Sequence, residues 1–175
     1  MKAALTWALL VLWAVLIVAS LWVYSQRQLS DFDPLFTLST AAASQNFDSR
    51  FTTLLAQSGI GPGSVVHINS ASACVCDSLT ASHQAELNSR LSAHGYKLET
   101  LKLEKHALIA SFLSSVPALA VVDPTGNLRY VGPYSEGYGC LTGRTFVDKI
   151  TALASSGFSA GAVVQSDAKG CYCKV

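Results

Sequence analysis

The sequence predicts an α/β domain, a mixed sheet flanked by helices, preceded by one N-terminal transmembrane helix. Three observations lead there. Residues Ala3–Tyr24 form an apolar run without charge, proline or glycine. Beyond it, segments of helical periodicity alternate with short apolar runs of strand type, which implies a sheet with parallel neighbours. Late in that alternation, Asp123-Pro124-Thr125-Gly126 carries Pro and Gly where a β-turn wants them, so the sheet finishes in an antiparallel hairpin.

The first element is the apolar run. About 20 such residues at 1.5 Å each cross a hydrocarbon core of roughly 30 Å. Trp7, Trp22 and Tyr24 lie near its ends, where amphipathic rings favour the headgroup layer. Val18-Ala19-Ser20 offers a small-residue site of the kind a signal peptidase cuts. The apolar run continues past it through Leu21-Trp22-Val23-Tyr24, which favours an uncleaved anchor over residues 1–24 that contacts the lipid bilayer through residues 3–24. Lys2 precedes the span, and Arg27 follows it diluted by Asp31 and Asp33, a bias that puts the N-terminus inside. In a bacterium this is a single-pass inner-membrane protein with its domain facing the periplasm, where cysteines can be oxidised.

Residues 25–43 read as a linker and residues 44–157 as the domain. Phe47, Phe51, Leu54 and Leu55 share one helix face, closed by Gly59. Ser64–Asn69 is a short apolar strand. A helix follows Cys74-Val75-Cys76, from Asp77 to His94, with Leu79, His83, Leu87 and Leu91 on one stripe. Tyr96–Leu103 alternates as a strand, Lys105–Ser115 reads as a helix, Ala118–Val122 as a buried strand and Leu128–Val131 as its hairpin partner. Gly143–Ser155 is the last helix. Residues 158–175, rich in Gly, Ala and Ser, read as a flexible tail carrying Cys171-Tyr172-Cys173.

The 175 residues carry 12 Lys+Arg against 11 Asp+Glu, a formal charge of +1, and no basic cluster. A nucleic-acid partner is therefore excluded. A domain of this size buries its own core without needing disulfides, so five cysteines call for another explanation.

The order of elements, the cysteine pair between the first strand and the long helix, the Val116-Pro117 pair before the third strand and the Asp123–Gly126 turn together resemble the thioredoxin-like superfamily. The chain is similar over Ser44–Gly157 to small membrane-anchored bacterial members of it. The resemblance implies a cis bond at Pro117 and a Val116 backbone that pairs with an extended peptide held against Cys74. It also implies Cys74 as exposed nucleophile and Cys76 as the residue that resolves the mixed disulfide. The chain departs from the family in having one residue between the cysteines instead of two, and no carboxylate in Ser64–Asn69. Nor does it match the peroxiredoxins, because Ala71 and His67, or Ala73 and Asn69, stand where those relatives carry Thr or Ser and Pro.

A thiol in the first turn of a helix has its thiolate stabilised by unpaired N–H groups and the positive end of the helix. Asp77 opposes this. A disulfide closed within Cys-x-Cys is expected to be strained, hence labile and oxidising. Cys140 lies in the loop before the last helix, either as a third redox participant or as a partner for Cys171 or Cys173. The tail pair is then a shuttle for Cys74 and Cys76 or a tether to Cys140. Five is odd, so at least one thiol stays free or pairs with another molecule.

The leading expectation is a thiol–disulfide oxidoreductase that acts on protein or small thiol and disulfide partners, without a cofactor. A first alternative is a thiolate module for copper or zinc built on Cys74, Cys76, Cys171 and Cys173, although zinc pairs usually enclose two to four residues. A second is a non-catalytic scaffold with structural disulfides. His83 reads as a packing residue, and His67, His94 and His106 have no constellation around them.

Overall fold

The protein is described by a computed structural model covering residues 2–27, 29–72, 74–137, 144–157 and 160–175. Helix α1 spans Lys2–Arg27. Its segment Ala4–Tyr24, 21 residues of mean hydropathy 2.4 and none of it buried, is long and apolar enough to cross a membrane.

The residues read as a linker are in part packed. They form β1 (Ser30–Asp31) and α2 (Thr37–Ala42) and bury Phe32 and Leu38 in the core. Asp33 makes this possible. Its carboxylate accepts from the backbone N–H of Leu38 at 3.2 Å and of Ser39 at 2.8 Å, which satisfies donors that open α2. Then come α3 (Phe47–Gln57), β2 (Ser64–Asn69), α4 (Val75–Ser92) and β3 (Lys97–Lys102). These agree with the sequence reading to within a few residues.

The next expected helix, Lys105–Ser115, is mostly absent. In its place are a 3-10 turn at Leu103–Lys105, the four-residue α5 (Ala107–Ala110) and β4 (Ser115–Val116). The residue before a proline is pushed towards extended backbone, so Pro117 fixes Val116 as a strand and the helix has to stop earlier. Phe112 and Leu113 enter the core from the connecting loop. β5 (Ala118–Val122), β6 (Leu128–Gly132) and α6 (Val147–Ser155) follow.

The main sheet has the order β3-β2-β5-β6-β7, where β7 is Val163–Val164. β2 runs parallel to β3 and antiparallel to β5; β5 is antiparallel to β6, and β6 parallel to β7. Every residue of β5 and β6 is buried, so helices must cover both faces. α4 and α6 pack together on one set of strands, and α3 packs with α5 against β6. Arg129, buried on β6, donates to the carbonyls of Leu153 and Ser156 at the end of α6 and faces Asp123 at 3.6 Å.

The segment expected to be a flexible tail is also ordered into strands. After β7 come β8 (Lys169–Gly170), antiparallel to β1, and β9 (Cys173–Lys174), antiparallel to β4.

Candidate functional site

Ser70–Ser72 lead from β2 towards α4, and one acidic side chain holds this turn. Glu104 accepts from the Ser70 hydroxyl and from the Ala71 N–H at 2.8 Å, and Lys102 donates to the Ser70 carbonyl at 2.9 Å. The hydrogen bond from Ser70, then those from backbone N–H groups, hold the Glu104 carboxyl below its ordinary range. Cys74 is the extended residue that precedes α4, and Cys76 lies in its first turn. Both are buried, at 8% and 6% exposure, whereas Val75 between them is 76% exposed.

Neither cysteine pairs with the other. Cys74 is bonded to Cys173 and Cys76 to Cys171, with Cα–Cα distances of 6.2 and 5.4 Å. This corrects three expectations: a disulfide within Cys74–Cys76, an exposed Cys74, and a tail tethered to Cys140. The reason is directional. Side chains two apart at a helix do not face one another, whereas two apart on an extended segment they share a face. The tail pair is therefore the natural partner for the helix pair. Cys140 itself falls outside the described residues.

The tail is held by more than sulfur. β9 pairs with β4 so that Cys173 lies opposite Val116 and Lys174 opposite Ser115, and the Val175 N–H donates to the Ser114 carbonyl at 3.1 Å. Gly137 donates to the Lys169 carbonyl at 2.7 Å, and Cys171 donates to the Gly137 carbonyl at 3.2 Å. Tyr172 packs edge-on against Phe32 at 5.1 Å, and its hydroxyl donates to the Ser135 carbonyl at 2.7 Å. Gly170 leaves room for that ring, since a Cβ there would come within 2.9 Å of it. The peptide between Val116 and Pro117 is cis.

A second feature was not read from sequence. His67 on β2 accepts at Nδ1 from the Tyr134 hydroxyl at 2.5 Å and donates from Nε2 to Asn88 Oδ1 at 2.7 Å, with the His67 and Tyr134 rings stacked. Burial holds the His67 pKa below its ordinary value. Burial also lifts the Tyr134 hydroxyl well above the phenolic range, and the Asp77 charge adds to the shift. Asp77 carries a buried Oδ1 without a hydrogen-bond partner among the described residues. Desolvation raises its pKa, Lys102 lowers it and Glu104 raises it. A half-buried acid thus does lie beside the cysteines, on α4 rather than on the strand where the resemblance sought one. His83 is buried on the inner face of α4, as a packing residue should be.

Four sulfurs therefore meet at one end of the sheet. Those of Cys74, Cys76 and Cys173 lie within 4.8 Å of one another, and that of Cys171 is bonded to Cys76. Fold and site together define a class: a mixed α/β domain behind an apolar N-terminal helix, whose two Cys-x-Cys tripeptides are cross-linked to each other. Residues 42–175 match the family model described as "Domain of unknown function (DUF6436)", and the chain belongs to that family. No curated protein and no solved structure matches it.

Proposed function

We propose that this domain is a thioredoxin-like thiol–disulfide exchanger, held on a membrane by α1 and, in a bacterium, facing the periplasm. Its partners are protein or small-molecule thiols and disulfides, and the two cross-links are its oxidised form. The order β3-β2-β5-β6 with β5 antiparallel supports the fold, as does the cysteine pair between β2 and α4. One observation carries the activity. The tail strand lies against Val116, beside Pro117, with Cys173 bonded to Cys74. That is the arrangement of a cysteine-bearing partner peptide caught as a mixed disulfide, here formed within one chain.

The site residues then act as follows. Cys171 and Cys173 are half-buried and the helix cysteines buried, so an outside thiolate meets the tail first. It attacks Sγ of Cys173. The bond to Cys74 breaks and its electron pair leaves on Sγ of Cys74, at the electropositive end of α4, where a thiolate is a good leaving group. A second partner thiolate attacks the partner's own sulfur in the new disulfide and releases Cys173. Two partner thiols have become one disulfide, and their two protons reside on Cys74 and Cys173. The reverse sequence reduces a partner disulfide and re-forms the Cys74–Cys173 bond.

The test is mass-spectrometric thiol counting on the full chain in detergent, in glutathione buffers of graded potential without denaturant. Both cross-links are expected to open and re-form reversibly while the far-UV spectrum of the domain persists. Cross-links that open only once denaturant unfolds the chain would overturn the proposal and leave a structural clamp.

A further inference from the structure

Opening the two cross-links leaves four thiols, and the question is whether they scatter. The contacts that seat the tail answer it. The β1–β8 and β4–β9 pairings involve no sulfur. Neither do the Tyr172–Phe32 packing, the Tyr172 hydroxyl bond to Ser135, nor the Ser30 hydroxyl bond to the Tyr172 carbonyl at 3.2 Å. On the other side, Cys74 and Cys76 are fixed by α4 and by the Glu104 clamp on the preceding turn. Both halves of the cluster thus have contacts that seat them independently of the covalent bonds.

We infer that the reduced domain holds a preorganised four-thiolate site, Cys74, Cys76, Cys171 and Cys173, for a thiophilic d10 cation, zinc(II) or copper(I). Thiolate sulfur is the donor these ions favour, and a metal–sulfur distance of about 2.3 Å puts the corners of a tetrahedron roughly 3.8 Å apart. Three of the sulfurs already lie within 4.8 Å of one another. The paired residues have Cα–Cα distances of 6.2 and 5.4 Å, short enough for both sulfurs of a reduced pair to reach one ion. One Cys-x-Cys is too short to form half a zinc knuckle on its own. Here each ligand pair comes from a different part of the fold, a helix start and the turn that leads into β9, so the spacing within a tripeptide does not set the geometry. The start of a helix has backbone N–H groups without intrahelical partners, donors of the kind that hydrogen-bond metal-bound sulfur.

The chemistry balances with a trialkylphosphine as reductant. Each disulfide plus phosphine and water gives two thiols and a phosphine oxide; one zinc ion then displaces four protons from four thiols. The site is closed to metal while the cross-links stand, so oxidation state gates binding. This inference requires only that the cross-links can be reduced, and it stands whether or not the domain exchanges disulfides with a partner.

The experiment uses the full chain in detergent under argon, reduced with phosphine and dialysed against zinc(II) or copper(I), with metal per chain counted by mass spectrometry. Wild type and Cys140→Ser are expected to bind one ion per chain, and the oxidised chain none. Cys171→Ser/Cys173→Ser is expected to bind about 100-fold more weakly or worse. Cobalt(II) added to the reduced wild type reads the ligands without any variant: intense tetrahedral d–d bands with thiolate charge transfer are expected. Absence of those bands, zinc and copper bound at well under one ion per chain, or full affinity in the double variant would each overturn the inference. Zinc without copper, or the reverse, identifies the cation. Cross-links that resist glutathione but open to phosphine in the folded chain bear on exchange alone, whereas cross-links that phosphine too opens only in denaturant overturn this inference as well.

Discussion

Cys74-Val75-Cys76 starts an 18-residue helix with both cysteines buried, whereas Cys171-Tyr172-Cys173 joins two strands of two residues each and leaves both cysteines half-buried. The middle residue is reversed as well: Val75 faces outward, and Tyr172 packs against Phe32. The helix pair is positioned by local structure, through helix geometry and a clamped turn. The tail pair is positioned by remote structure, through strands whose partners lie well back in the chain: β8 pairs with Ser30–Asp31 and β9 with Ser115–Val116. Spacing within a tripeptide therefore says little about what its sulfurs do; the element beneath it decides.

The largest expected effect comes from cutting the connection between the two pairs. Cross-links that span 99 and 95 residues restrict the unfolded chain strongly, so Cys74→Ser/Cys76→Ser is expected to cost about 4 kcal/mol. The denaturant midpoint of the domain, with and without phosphine, measures it. Because the loss arises mainly in the unfolded chain, the folded tail is expected to keep its amide protection after reduction. A loss of less than 1 kcal/mol would mean that backbone pairing alone sets the tail, and the contrast between the pairs would shrink.

Next come the two middle residues. Tyr172→Ala removes an aromatic packed on Phe32 and a hydrogen bond to Ser135, and about 2–3 kcal/mol is expected with raised hydrogen exchange over residues 169–175. Val75→Ala, on an outward-facing side chain, is expected to change thermal stability by no more than about 0.5 kcal/mol. Equal losses at the two positions would break the comparison.

The smallest effect is a pH slope. His67 has its pKa depressed below 6.5 by burial, so the unfolded chain takes up the proton first as pH falls. Stability from this group is complete above pH 6.5 and is lost progressively below it, down to the folded pKa. Denaturant midpoints between pH 7.5 and 5 are expected to fall in the wild type, and His67→Gln is expected to flatten that slope. An unchanged slope would assign the acid sensitivity to another group.

The legible parts of this fold are those whose signal lies within a few residues. Ser64–Asn69 and Ala118–Val122 appear as read, because short unbroken apolar runs between turns have one way to be buried. The sequence over Lys105–Ser115 suggests a longer helix than the fold contains, because its apolar residues suit a helix while Val116, held extended by Pro117, draws the chain into β4. The residues read as linker and tail were misjudged for another reason. β1, β8 and β9 have two residues each, too few for periodicity, and each is stabilised by a strand remote in sequence. At the site, the cysteines and Pro117 could be picked out by type, but their pairing could not, since the chain has five cysteines and any four of them already allow three connectivities. His67 has no partner near it in sequence, because Asn88 and Tyr134, which hold it, come from other elements. The doubled Cys-x-Cys was the available hint that one pair answers the other.

The long interval between the paired cysteines has a bearing on how the protein is made. Cys171 follows Cys76 by 95 residues, and synthesis proceeds at about 5–20 residues per second. For roughly 5–20 s, then, each new chain presents two sulfurs whose proper companions have not yet been translated. Oxidation that arrives early joins those two to each other, to Cys140 or to a stranger, so correct maturation depends on a late oxidant or on a catalyst able to reshuffle what was joined too soon.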